Sequence, residues 1–119
     1  MTMVCAKAVT FDAAGTEVCA TGTFTLGNGT TTTLNLIGDG GETLVIGVSG
    51  AATTTYAIPV GNGLYTAADG KLYISTSGGM LTVTDNTTTM DAAFSFDAAT
   101  TSGETISITA GVVTDLSKS

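Results

Sequence analysis

Between Phe94 and Thr109 the chain reads FSFDAATTSGETISIT, with apolar side chains at every second position on either side of a small polar gap. A period of two sends alternate residues to opposite faces of a β-strand, so each run builds one apolar and one polar face. Setting Ala98 opposite Glu104 across the loop pairs Phe96 with Ile106, Phe94 with Ile108, Ala92 with Ala110 and Met90 with Val112. Asp91, Ser95 and Asp97 then share the other face with Thr105, Ser107 and Thr109. A slip of one residue would set Phe against Ser and Thr, so the pattern demands a hairpin laid over a core. Met90, Phe94, Phe96, Ile106 and Ile108 are expected to be buried together.

The same texture runs through the chain. Strands are expected over 3–11, 17–26, 31–37, 43–49, 54–60, 71–76, 80–85, 89–98, 104–110 and 112–116, separated by turns such as DAAG, GNGT, GDGG, ADGK and TTSG. Asn, Asp and Gly supply the positive φ that such turns require. This spacing predicts an all-β fold, a single-domain antiparallel β-sandwich or β-barrel of about 8–10 short strands. Residues 1–119 form one domain, with no linker and no repeat. Pro59, the only proline, has no N–H for a ladder, so its strand is an edge or is bulged there.

The first hairpin is expected to pair Phe11 with Val18 and Val9 with Ala20, which sets Cys5 against Phe24 on the core face and Cys19 on the opposite face. In that register the two cysteines are too far apart for a disulfide, and Cys5 is read as a buried thiol. A Cys5–Cys19 bridge would need a turn centred on Asp12.

The formal charge is −7, from ten acids against Lys7, Lys71 and Lys118. Such a chain repels phosphate and anionic lipid, so neither a nucleic-acid partner nor membrane insertion is expected. No apolar run reaches the ~20 residues of a transmembrane helix, and MTMVCAKAV is not a signal peptide. There is no histidine and no arginine. That removes Ser–His and Cys–His activation and the bidentate clamp for phosphate or carboxylate. Asp91 and Asp97 share a face, but six strand residues set them ~20 Å apart, too far for a glycosidase pair. Asp39 and Glu42 could offer loop oxygens to Ca²⁺ but fit plain turn residues better, with no EF-hand-like spacing around them. Tyr56, Tyr65 and Tyr73 are read as half-buried with wet hydroxyls rather than as a sugar platform. Thr-x-Thr runs (Thr21/Thr23/Thr25, Thr31/Thr33, Thr53/Thr55, Thr82/Thr84, Thr87/Thr89) lack the fixed repeat of an ice-ordering ladder and fit a solvent face. Asn28 and Asn86 match the glycosylation sequon. No residue is assigned a catalytic, cofactor-binding or metal-binding role, and the chain is expected not to be an enzyme.

The stretch from Gly63 to Leu116, with its LTVT strand, its FSF-A strand, its GETISIT strand and a closing Gly, resembles the C-terminal half of calycin-like β domains of Bacteroidota envelope lipoproteins. GETLVIGV and TTTYAIPV upstream fit the same style, whereas EVCATG stands where that family often has a Trp-containing strand. The resemblance implies a β fold and an envelope or surface setting, with no activity and no catalytic residues to transfer.

Two roles follow. The first is a structural protein, a homo-oligomer or part of a larger filament, extracellular or virion assembly, joined through strand edges or termini. Few charges defend its edges, and MTMVCAKAV is apolar enough to add a strand to another sheet. The alternative is an envelope binding module that holds a small apolar ligand or glycan in a barrel mouth.

Overall fold

The computed structural model describes residues 8–27 and 30–118. Cys5, the Asn28 sequon and the start of the strand expected at 3–11 lie outside the described residues. Among the described residues ten strands are formed: β1 (Val9–Ala13), β2 (Thr16–Gly27), β3 (Thr31–Gly38), β4 (Thr43–Ser49), β5 (Thr55–Ile58), β6 (Gly63–Thr66), β7 (Leu72–Ser75), β8 (Gly79–Asn86), β9 (Thr89–Ala99) and β10 (Thr105–Lys118).

Of the two architectures left open by the sequence, the structure is the barrel. Antiparallel ladders join β1 to β2, β2 to β3, β3 to β4, β4 to β6, β6 to β7, β7 to β9 and β9 to β10, and β10 returns to β1. This is a closed ring of eight strands. β8 pairs with β9 on the side that β7 also uses, and β5 pairs with β8. β5 and β6 therefore run in one direction as a single interrupted strand, as do β7 and β8. Counted this way, the chain meanders up and down around the ring in sequence order. Past the Val9 end of β1, Ser117 and Lys118 of β10 meet Thr23 and Phe24 of β2 in a short parallel contact.

A single hydroxyl manages the break between β5 and β6. Ser75 is 1% exposed. Its Oγ accepts from the Gly61 amide at 3.1 Å and the Gly63 amide at 2.9 Å, and donates to the Pro59 carbonyl at 3.0 Å. That is the full capacity of a hydroxyl, spent on main-chain groups that the interruption takes out of the ladder.

The first hairpin has the expected register, with Val9 opposite Ala20 and Phe11 opposite Val18. Its two-residue turn uses Ala14 (φ 53°) and Gly15 (φ 86°), the left-handed pair that matches strand twist. The reading of the cysteines needs correction. Cys19, opposite Thr10 on the outward face, is half of a disulfide, and Cys5 is the only other cysteine in the chain.

The hairpin of β9 and β10 also differs from expectation. Ala98 faces Ile106 rather than Glu104, and Phe96 faces Ile108, a shift of two residues that leaves the faces unchanged. Past Ile108 an extra residue enters β10, so that Phe94 meets Gly111 and Ala92 meets Val113; a further shift past Val113 sets Met90 against Leu116. Ala110 (φ 52°) and Asp115 (φ 50°) take left-handed conformations at these bulges. The bulges also explain why one strand spans what the sequence divided into 104–110 and 112–116. β6 was not foreseen, because four residues between two glycine-rich turns look like part of the loop.

The inside of the ring is apolar. Phe11, Phe24, Leu34, Leu44, Ile46, Tyr65, Leu81, Met90, Phe94, Phe96 and Ile108 belong to one buried cluster, while Ile106 packs against it only partly buried. Phe11 meets Tyr65 edge-on at 5.9 Å between ring centroids and Phe94 at a tilt, also at 5.9 Å. An eight-stranded ring is just wide enough for side chains such as these to fill.

Candidate interaction surface

The residues singled out from the sequence are mostly occupied by local structure. Asp91 and Asp97 do share the outward face, but each serves a neighbour. Asp91 Oδ1 accepts from the Asp115 amide at 2.9 Å, at the second bulge, and Asp97 Oδ1 accepts from the Ser107 hydroxyl at 2.9 Å. Glu42 Oε1 accepts from the Gly40 amide at 2.8 Å within the β3–β4 turn. Asp39 and Glu42 line a shallow hollow of about 340 Å³ with Glu17, Val18, Cys19 and Gly40. Among the described residues, no three of His, Cys, Asp and Glu are grouped to hold a metal ion.

The tyrosines do not form one platform. Tyr65 points into the ring, and burial, followed by the nearby Glu42 carboxylate, raises its phenol above the ordinary 10.0. Tyr73 packs beside it at 6.2 Å between centroids. Tyr56 lies over Gly50, donates its hydroxyl to the Ala52 carbonyl at 2.5 Å, and packs partly against the core. Asn86 uses its amide to hold the Ala51 carbonyl at 2.7 Å. Most of the threonines line the outer wall, and Thr55 and Thr82 bond to each other at 3.0 Å. Thr32 is the exception: it is buried, and its hydroxyl donates to the Gly50 carbonyl at 2.7 Å.

What remains is a surface, and the distribution of charge outlines it. No charged residue occurs between Glu42 and Asp69, a stretch that contains all of β4, β5 and β6. Two features draw on this neutral sector, the second reaching beyond it through Ile37, Leu72 and Ile74. One is a seam in the wall. Among the described residues, β5 has β8 as its only ladder partner, and β4 beyond Gly47 has only β3. The Val83 amide donates to the Thr54 carbonyl at 2.9 Å, and the Gly50 amide to the Thr30 carbonyl at 2.7 Å. Bonded positions alternate along antiparallel pairs, so the main-chain groups of Thr55 and Ala57 turn away from β8, and those of Ser49 away from β3. All three residues are exposed. Pro59 follows the last residue of β5, as expected of an edge.

The other feature is an apolar stripe on the outside of the ring. Registers across successive ladders set Val45, Leu64, Ile74 and Ala99 side by side. The adjacent row is Ile37, Thr43, Thr66 and Leu72. Ile37 is 59% and Leu72 46% exposed. Val45, Leu64 and Ile74 alternate with inward-facing neighbours and are absent from the core cluster, so they cover one another rather than the interior. The sequence reading missed this stripe. LVIGV in β4 is apolar at successive positions, which hides the outward Val45 among its buried neighbours. A second hollow, of about 440 Å³, lies on the wall between Met80 and Val112, over Ala93 and Gly111.

Compared with family models, with curated proteins and with solved structures, the chain has no significant match in any of the three.

Proposed function

We propose that this chain is a non-enzymatic structural module, a β-barrel that builds or decorates a larger extracellular, cell-surface or virion assembly with a strand edge among its contacts. The observation that carries this reading is the neutral sector from Glu42 to Asp69 with an unguarded edge inside it. Monomeric proteins usually blunt such edges with charges, lysine above all, and β5 has none. Three further points agree. The acids that make specific bonds brace a turn (Glu42), a bulge (Asp91) and cross-strand partners (Asp97 with Ser107, Glu104 with Lys71) rather than one another. The disulfide at Cys19 suits an oxidising compartment, in keeping with the resemblance to envelope domains. The ring is apolar inside with a largely Thr, Ser and Asp wall, the reverse of a membrane-spanning barrel.

The alternative role, a binding module with a ligand in the barrel mouth, is less well served, because Phe11, Tyr65, Phe94 and Phe96 occupy the interior. Light scattering on a sizing column separates the two. The intact chain is expected to self-associate, and Ala57→Lys, on the exposed edge, to weaken that association without altering the circular dichroism spectrum. A chain that stays monomeric at high concentration would sink the assembly reading.

A further inference from the structure

We infer that the stripe of Ile37, Val45, Leu64, Leu72 and Ile74 is a docking face for a second copy of this chain, packed stripe against stripe across a two-fold axis. The inference rests on the assembly reading above but names a different surface from the β5 edge, and it names the partner.

Charge selects the partner. The chain carries −7, and every one of its ten acids lies outside residues 43–68. At most other faces, two copies would bring carboxylates together. The stripe itself carries no charge, and carboxylates stand around it: Asp39 and Glu42 in the β3–β4 turn, Asp69 in the β6–β7 turn, Glu104 bonded to Lys71 next to Leu72, and Asp97 at the next outward position along β9 from Ala99. A cationic partner would be drawn to those acidic turns and would gain nothing from the aliphatic row. Lys71 at the rim is held by Glu104 at 2.8 Å, so among the described residues no free cation beside the stripe invites an anionic partner instead.

Shape agrees with charge. Within the stripe, Thr43 and Thr66 stand side by side between Ile37 and Leu72, and their smaller side chains leave a furrow beside the row of Val45, Leu64 and Ile74. Gly47, the next outward position along β4 after Val45, adds a notch with no atom within 4 Å of where a Cβ would stand. A two-fold axis lets the row of one copy enter the furrow of the other, using one patch twice. The seam at Ser49 lies along the same strand, so a docked copy also covers the main-chain groups there that turn away from β3.

The test is sedimentation equilibrium of the intact chain and of Leu64→Lys and Ile74→Lys, at low and high salt. Both positions face outward, so the variants should keep the wild-type circular dichroism and melting temperature. Ile74→Thr, which keeps the β preference and removes apolar surface, serves as a milder control. The wild type should be dimeric, and each Lys variant should dissociate at least about tenfold more readily. Salt should tighten the wild-type dimer, because it screens repulsion between two acidic bodies while leaving an apolar contact intact. Association that is unchanged in folded Leu64→Lys and Ile74→Lys but lost in Ala57→Lys would overturn the stripe and leave the assembly reading standing. Association that weakens with salt would also overturn it, because that marks an ion-paired contact. A monomer under every condition would overturn the assembly reading itself.

Discussion

Gly22→Ala is expected to abolish folding. Glycine weakens a strand interior, so alanine there would ordinarily be a gain. Here the sign reverses. A Cβ on Gly22 would stand 2.0 Å from the Asn35 carbonyl oxygen and 2.9 Å from the Leu36 Cα. Both are backbone atoms of β3, fixed by eight successive register pairs from Ala20–Gly38 to Gly27–Thr31, and neither can swing aside as a side chain would. Relief requires the β2–β3 ladder to part in the middle of the ring. Losses above ~4 kcal/mol are exceptional for one substitution and approach the whole stability of an ordinary domain. Urea unfolding followed by circular dichroism measures it. A midpoint equal to the wild type would mean that β2 and β3 do not approach as closely as described.

Phe94→Ala should cost about 3–5 kcal/mol. The side chain is 4% exposed. Its ring rests on Gly111, where an added Cβ would come within 2.6 Å of ring atoms, and it meets Phe11 on the other side. Deleting the ring leaves a void between β9, β10 and β1 that closed ladders cannot collapse to fill. The fall in stability should appear in the urea midpoint with an unchanged slope, as expected when native packing alone is altered. A loss below ~1 kcal/mol would show that the ring does not fill the core as described.

Phe94 also shows how far the sequence reached. Its alternation with Ser95 and Phe96 was enough to place it inside, because one face of a strand must meet the core and the other must not. Its partner was not legible. A two-residue shift preserves every face, so alternation cannot choose between Ile108 and Ala110 as the partner of Phe94, and one further residue at the bulge carries it on to Gly111. The choice is made by the Thr100–Glu104 loop and by a bulge at Ala110, a residue that nothing local marks as left-handed. The same limit hid the stripe. Leu64 and Ile74 sit in four-residue strands, each beside a tyrosine (Tyr65 and Tyr73), so period two has too little length to say which faces out. The neutral run from Glu42 to Asp69 was legible as composition, but only the ladders show that it forms one continuous sector of wall. Cys19 was misjudged because its partner was placed by extending the β1 register upstream through residues that the structure does not describe.

The closure of the ring has a cost that its hairpins do not share. All but one of the antiparallel ladders around it join stretches close in the chain, and most need little more than a turn. The exception sets Val9 against Val113. The entropy of bringing chain segments together grows as (3/2)RT ln n, so drawing these two together costs roughly 3 kcal/mol more than closing a five-residue turn. Until that contact is made, the molecule is a curled sheet with β1 and β10 bare at its rims. The same ladder that ends the search for the native state also removes the two longest exposed edges a partly folded chain would offer to its neighbours.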